Sequence, residues 1–316
     1  MKAIVIDRFG GPEQLHLAEI ETPEQAAGEV LIKIAYTSVN PVDWKIREGM
    51  LQSLFPHGFP LIPGWDAAGT VAAVGPDVHQ FSVGDMVYAY CRKPLVQWGT
   101  YAEYVTMSAA AVAPLPQVLS FAEAAAIPLV GLTSWQSLFD AARLEAGQSI
   151  LILNGAGGTG SLAIQFAKHA GATVFACASA ANHAYLRALG ADVLIDYRNT
   201  DVAAAVRARA TEGVNVVYAN IGGEPHHRSY ALLKPGGTLV SIVDQPDEDA
   251  AKAVGASAAY VFVEPNGGQL REIGRLIEAG FVKPPEVTVM KLEEAAEAHR
   301  LSQAQRVRGK IALKVA

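Results

Sequence analysis

Leu151-Ile152-Leu153-Asn154-Gly155-Ala156-Gly157-Gly158-Thr159-Gly160 decides the fold of this 316-residue chain. An apolar run ends in a glycine-rich turn, and a helical pattern follows, with Leu162, Ile164, Phe166 and Ala167 apolar. Gly155, Gly157 and Gly160 stand in G-x-G-x-x-G spacing. Alone that spacing is a weak signal; between a strand and a helix of a βαβ unit it marks a dinucleotide-binding turn. The glycines permit the tight turn, let backbone approach a pyrophosphate, and bring helix and sheet together. The start of the helix then offers N–H groups and the positive end of its dipole to an anion. Gly158 and Thr159 lie inside the same turn and join the candidate contacts. A glycine-rich loop without a ligand is the plainer alternative.

Strand and helix patterns alternate on the C-terminal side of this turn. Strands are expected at 149–154, 173–178, 192–195, 214–219 and 238–243, and helices at 160–170, 182–189, 202–209 and 226–233. Such alternation implies an α/β fold, a Rossmann doubly wound parallel sheet with helices on both faces. A strand at 260–263 and a helix at 269–279 follow. Toward the N-terminus the pattern is different. Short β-rich runs at 2–6, 29–35, 69–74 and 86–90 sit between Gly and Pro turns. Ser120-Phe121-Ala122-Glu123 has capping-box spacing. Pro128 interrupts the helix it opens, and a second helical stretch runs over 132–142. The last strand, 310–315, can return to the first domain.

The second strand of the alternating region ends at Ala176-Cys177-Ala178-Ser179. NAD sites usually carry Asp or Glu there to hold the ribose hydroxyls. Here Ser179, Asn182 and His183 follow, with no acid nearby along the chain. A carboxylate would repel a 2′-phosphate, so its absence, with Arg187 and Arg198 close in sequence, favours NADPH over NADH. Arg187 as a surface helix residue and Tyr197 as ordinary packing remain open.

Hydrophobic residues make up 51% and charged residues 18%, which suits two globular domains and excludes extended disorder. The net charge of -6 gives no general attraction to nucleic acid. Arg300, Arg306, Arg308 and Lys310 are dispersed and read as a solvated face. The two cysteines, Cys91 and Cys177, read as ordinary thiols in a reducing compartment. The apolar run 109–130 is broken by Pro114, Pro116 and Pro128 and carries Glu123, so no membrane span is expected. No signal-peptide pattern opens the chain, and a cytoplasmic protein is expected. No His or Cys cluster has metal-ligand spacing, and the adjacent His226 and His227 point apart on a helix. No metal site is therefore expected.

Several further motifs complete the pattern: Ser38-Val39-Asn40-Pro41-Val42-Asp43-Trp44-Lys45, Pro63-Gly64-Trp65-Asp66-Ala67-Ala68-Gly69, Val83-Gly84-Asp85, Leu189-Gly190-Ala191-Asp192 with Asp196-Tyr197, and Leu233-Lys234-Pro235-Gly236-Gly237. With the glycine turn they give a chain that resembles the medium-chain dehydrogenase/reductase superfamily over nearly its whole length. Within it the chain is similar to the zinc-free quinone oxidoreductases, which include ζ-crystallin-like proteins and plant alkenal and enone reductases.

The resemblance implies a GroES-like β-rich catalytic domain, residues 1–119 and 282–316, with an NADPH-binding Rossmann domain, 120–281, between its parts. Zinc alcohol dehydrogenases of the superfamily carry Cys at the position of Asn40 and a His-Glu pair at Trp65-Asp66. By the same resemblance, Asn40 lies beside the nicotinamide and Lys45 lines the active site. Thr133, Ser241, Ile242, Val243, Phe262, Val263 and Pro265 fall in stretches that flank the nicotinamide, and Ser179 and Tyr197 lie near the adenosine phosphate. Two positions depart from the pattern. Ala180 stands where relatives often have a basic residue, and Asn220 stands at or near a usual Asp.

The implied activity is NADPH-dependent, zinc-independent hydride transfer to an enone, an enal or a quinone, in a cleft between the domains. Lys45 would polarise the carbonyl. An NADPH-binding redox sensor or structural protein with little turnover is the alternative. An RNA binder is disfavoured by charge, and an alcohol dehydrogenase by the missing zinc ligands. Segments 51–60 and 91–98 are expected to shape the substrate pocket. A homodimer paired through the sheet edge at 260–263 is expected, with a covered edge as the alternative.

Overall fold

The computed structural model describes residues 1–304 and 307–315. Two compact units are present: Met1–Leu132 with Glu264–Ala279 and Pro284–Ala316, and Thr133–Val263 with Gly280–Lys283.

The first unit is β-rich. Its N-terminal strands are β1 (Lys2–Val5), β2 (His16–Glu19), β3 (Glu29–Val39), β4 (His57–Ile62), β5 (Asp66–Val74), β6 (Met86–Tyr90), β7 (Val96–Trp98), β8 (Tyr104–Ser108) and β9 (Val112–Pro114). Helix α1 (Pro41–Arg47) follows β3, with Pro41 at its first position, where the missing N–H costs nothing. Helix α2 (Phe121–Ala125) starts at the expected capping box: Ser120 Oγ accepts the Glu123 N–H, and the Glu123 carboxylate accepts the Ser120 N–H. Helix α3 (Pro128–Trp135) begins at the expected interruption and runs into a π-helical segment, Gln136–Ala141.

The second unit holds six strands, β10 (Ser149–Ile152), β11 (Thr173–Ala178), β12 (Val193–Asp196), β13 (Val214–Ala219), β14 (Leu233–Ser241) and β15 (Ser257–Tyr260). Helices α4 (Gly158–His169), α5 (His183–Ala188), α6 (Val202–Arg207), α7 (Glu224–Ser229) and α8 (Glu248–Ala253) connect them. All neighbouring strands are parallel, in the order β12-β11-β10-β13-β14-β15. This is the doubly wound order, reversing at β10. Right-handed crossovers, the rule between parallel strands, place the helices before and after such a reversal on opposite faces. Strands β10, β11 and β13 are apolar almost throughout because such strands are covered on both sides. The last strand lies earlier than expected, at Ser257–Tyr260 rather than 260–263, where it pairs with β14.

The chain then re-enters the β-rich unit through α9 (Gly267–Glu278), β16 (Val287–Lys291), α10 (Ala295–Gln303) and β17 (Lys310–Lys314). The returning strand β17 pairs parallel with β16 and antiparallel with β3, inside a seven-stranded sheet. Residues 120–132 and 264–279 thus belong to the β-rich unit, although the sequence places them in the nucleotide-binding half. Helix α9 is held there by close approach. A Cβ on Gly267 would come 2.4 Å from Val112 O. Tyr88 also donates its hydroxyl hydrogen to Leu270 O. Among the described residues, no helix is long and apolar enough to cross a membrane.

Candidate active site

The glycine turn leaves β10 and enters α4 with little room for side chains. A Cβ on Gly160 would stand 1.9 Å from Asn154 O, so only glycine allows the helix to start this close to the turn. A Cβ on Gly155 would meet Leu186 Cδ2 at 2.8 Å and Ala176 Cβ at 3.2 Å. The Gly155 N–H donates to Cys177 O. Gly157 is the N-cap of α4 and brings no side-chain cap. The N–H groups of the first turn have no partner within their helix. The cradle is therefore built of backbone, at the positive end of a twelve-residue helix, and it fits a pyrophosphate.

Asn220, just beyond β13, clamps this turn. Its Oδ1 accepts the Asn154 N–H at 2.9 Å, and its Nδ2 donates to Asn154 O at 2.9 Å and to Thr159 Oγ1 at 3.3 Å. A carboxylate at this position could accept but not donate. The departure from the usual Asp thus has a local use. Ser134 Oγ donates to Thr159 O at 2.8 Å and holds the other side of the turn.

Ser179 follows β11, where Asn182 Nδ2 lies 3.3 Å from Ser179 Oγ and His183 Nε2 lies 3.3 Å from Ala178 O. The acid that is absent along the chain is present across the sheet. Asp196 pairs in register with Ala178. Hydrogen bonds from Asn199 Nδ2 and the Arg198 N–H hold its carboxyl below the usual carboxylate range. Its oxygens are thus engaged in closing the turn after β12. Tyr197 is exposed beside it, with the Arg198 guanidinium over its ring. Arg187 lies exposed on α5.

Ser241, Ile242 and Val243 lie at the end of β14. Ser241 Oγ donates to Asp244 O at 2.6 Å, and the Ile242 N–H points to Ala219 O at 3.4 Å. Phe262 and Val263 follow β15, with Val263 buried. Thr133 is buried at the start of the second unit, while Pro265 belongs to the β-rich unit. The glycine turn, Ser179, Tyr197, Asn220 and Ser241 all sit at the carboxyl ends of their strands. That edge is where open parallel sheets bind ligands.

Asn40 and Lys45 lie in the β-rich unit, at the N-cap and in the last turn of α1. Lys45 is half-buried, with its ammonium 5.7 Å from the centre of the Trp44 ring. Asn40 is fully buried in a charged cluster. Its Nδ2 donates to Asp66 Oδ2 at 2.7 Å, and its Oδ1 accepts from Lys310. Lys310 Nζ also donates to Val39 O at 2.9 Å and stands 3.7 Å from Asp66 Oδ2. Asp66 further accepts from Ser38 Oγ at 2.7 Å and from the Leu129 N–H at 2.7 Å.

Lys310 thus corrects the expectation of a solvated basic face. Arg300 and Arg308 are exposed and paired with Glu297 and Glu286, and Arg306 lies outside the described residues. Lys310 instead opens an inner strand and is only 4% exposed. Burial pushes its ammonium pKa down, opposed by Asp66 and Asp43. The signal available in the sequence was its place ahead of the apolar Ile311-Ala312-Leu313.

A second buried chain runs from the same helix. Arg47 Nη1 lies 3.1 Å from His299 Nδ1, His299 Nε2 lies 3.2 Å from the Tyr101 hydroxyl, and that hydroxyl lies 3.0 Å from Asp43 Oδ2. Arginine can only donate, so His299 Nδ1 accepts and its Nε2 carries the hydrogen. The bonds then run one way, from Arg47 through His299 and Tyr101 to Asp43. Burial, with the Arg47 cation, pushes His299 down to about 3. Burial pushes Asp43 up to about 7, against the Asn40 N–H that favours its charged form.

The segments expected to shape the substrate pocket meet as well. Strands β4 and β7 pair in parallel and join 57–62 to 96–98. Among the described residues, no group of three or more His, Cys, Asp or Glu side chains is placed to hold a metal ion.

Residues 26–117 match the alcohol dehydrogenase GroES-like domain family, and residues 189–313 match the zinc-binding dehydrogenase family. The chain is 36% identical over 291 residues to the chloroplastic NADPH-dependent alkenal/one oxidoreductase of Arabidopsis thaliana, covering 90% of this chain and 71% of that protein. It superposes on the quinone oxidoreductase from Coxiella burnetii with a TM-score of 0.88 and 35% identity, covering 100% and 99% of the two chains. The Escherichia coli quinone oxidoreductase, solved in complex with NADPH, gives a TM-score of 0.87 at 26% identity over 100% of both chains. A backbone cradle at a doubly wound sheet, a GroES-like unit that carries Asn40 and Lys45, and these relatives agree: the chain belongs to the medium-chain dehydrogenase/reductase superfamily, in its quinone oxidoreductase and alkenal/enone reductase branch.

Proposed function

We propose that this protein is an NADPH-dependent reductase that transfers hydride to α,β-unsaturated carbonyl compounds or quinones, and that it does so without zinc. The observation that carries the proposal is the glycine-rich backbone turn at Gly155–Gly160, clamped by Asn220 at the switch point of the parallel sheet. The alkenal/one oxidoreductase of Arabidopsis thaliana and the NADPH-bound Escherichia coli enzyme support the cofactor and the reaction class. The sensor reading gains nothing from either of them.

Bound nicotinamide supplies the hydride, and the chain supplies position and electrostatics. The α4 N-terminus and the turn hold the pyrophosphate. Ser179, Asn182, His183 and Tyr197, with Arg198, receive the adenosine phosphate. Lys45 offers an ammonium to the substrate oxygen, where negative charge develops as hydride reaches the β-carbon. Zinc independence is supported by the donor chemistry: an amide at Asn40 and an indole at Trp65 are not zinc ligands. We also propose a homodimer through the β15 edge and a cytoplasmic setting, supported by the place of β15 at the end of the sheet among the described residues and by two buried free thiols.

The test is NADPH oxidation by chelator-treated protein, followed at the nicotinamide absorbance with an enone, then a quinone, with NADH in parallel. Oxidation with either acceptor, faster with NADPH, is expected. Tight NADPH binding without oxidation overturns the enzyme, and activity restored only by zinc overturns zinc independence. Light scattering on the eluting protein tests the dimer.

A further inference from the structure

We propose that Lys310 is a positioning residue that fixes the Asn40 side chain as a hydrogen-bond donor. This rests on the reading that Asn40 belongs to the reactive half of the site.

The amide of an asparagine has two ends, a carbonyl that only accepts and an NH2 that only donates. Left to itself it can present either end. At Asn40 both ends are committed, so one orientation is left. Lys310 has only hydrogens to give, so the atom facing it must be Oδ1. Asp66 is held as an acceptor by Ser38, by the Leu129 N–H and by Lys310, so the atom facing it must be Nδ2. A flipped amide would set its NH2 against an ammonium and its carbonyl against a carboxylate. Lys310 also donates to Val39 O, on the residue preceding Asn40, so it grips backbone and side chain together.

One hydrogen of the Asn40 NH2 goes to Asp66. The other remains as the group this residue can offer to a carbonyl oxygen of substrate or cofactor. A donor there favours charge building on oxygen, as in an enolate or a reduced quinone, where an acceptor would oppose it. A buried ion pair is a poor source of stability, and fixing one arrangement is its better attested use.

The test uses Lys310→Met, Lys310→Arg and the double variant Asp66→Asn/Lys310→Met in the full-length chain. The double variant removes both charges together and keeps the test valid should the single Met variant not fold. The first readout needs no turnover. In 15N-labelled protein the Asn40 NH2 signal, assigned with Asn40→Asp, is expected to show two distinct, slowly exchanging hydrogens. In the Met variants, solvent exchange is expected to rise about 10-fold or more as the amide is released. Lys310→Arg is expected to restore the wild-type pattern. The second readout is kinetic: kcat is expected to fall about 10- to 100-fold with KM for NADPH within about 2-fold. An Asn40 amide unchanged in the Met variants overturns the proposal whether or not the protein reduces enones. So does a raised KM at unchanged kcat. Absence of turnover in the wild type sinks the proposed function instead, and leaves the amide result to decide the role of Lys310.

Discussion

The glycine turn of the nucleotide-binding unit and the charged cluster of the β-rich unit prepare their groups by opposite means. The turn works by removing side chains: Gly155, Gly157 and Gly160 carry none, and the first N–H groups of α4 have no partner within their helix. The cluster works by burying them, with Lys310, Asp66 and Asn40 locked together out of water. Backbone dipoles need no counterion and tolerate an empty site. Buried charges tolerate nothing missing, because each depends on its partner to offset desolvation. The two regions should therefore fail differently when they are cut.

The largest expected effect follows from breaking the cluster on one side. Asp66→Ala leaves Lys310 buried without its carboxylate and strips the acceptor from Ser38, Asn40 and the Leu129 N–H. A loss of about 3–5 kcal/mol in urea unfolding is expected. Asp66→Asn/Lys310→Met should lose clearly less. Equal losses would mean that the charges are not coupled.

Cutting the turn should cost less stability than cutting the cluster, and should spoil binding. Gly160→Ala puts a methyl group against Asn154 O, and α4 must shift to admit it. NADPH affinity is expected to fall about 100-fold, as read by fluorescence titration, with the far-ultraviolet spectrum unchanged. Wild-type affinity would show that the helix start is not where the pyrophosphate sits. The clamp offers a finer cut. Asn220→Asp keeps the acceptor for the Asn154 N–H and loses the donor to Asn154 O. NADPH binding about 10-fold weaker is expected, corresponding to about 1–2 kcal/mol for the lost donation to Asn154 O and Thr159 Oγ1.

The smallest effect concerns protons. Asp43 is raised to about 7 in the fold, so between about pH 4 and 7 the native state holds a proton the unfolded chain has released. That contribution to stability is lost as pH rises. His299 is lowered to about 3, so between about pH 3 and 6.5 the unfolded chain holds a proton the native state lacks, and that contribution is lost as pH falls. Over about pH 4 to 6.5 the two slopes oppose each other, and the wild type should show little pH dependence from this pair. Asp43→Asn should expose the histidine term, with stability falling by about 1 kcal/mol per pH unit below pH 6. A flat profile in the variant would place the proton elsewhere.

The same contrast governs what is legible in the sequence. The glycine turn was legible because its working parts are consecutive, and the fold class followed from the alternation around it. Met86–Tyr90, Thr173–Ala178 and Val214–Ala219 fall at their expected bounds because each is a clean apolar run between breakers. Lys310 was not legible because it meets Asn40 across 270 positions, through the pairing of β17 with β3. Asp196 stands in a motif the sequence shows, but its place was not legible for a related reason: strand order, not chain distance, sets it beside Ala178. The bounds of the units shifted because Gly267 and Tyr88 draw α9 onto β9 and β6, a close approach that helical periodicity alone does not reveal. Lys45 and Asn40 were reached by resemblance, and geometry added the partners that explain Asn40.

The most direct measurement of hydride delivery is a single turnover with NADPH deuterated at the transferable position and a simple enone, with the product analysed by mass spectrometry and NMR. One deuterium at the β-carbon, with the hydrogen at the α-carbon drawn from solvent, is the expected result. A reduced product without deuterium at that carbon, or none formed while NADPH binds tightly, would contradict the account.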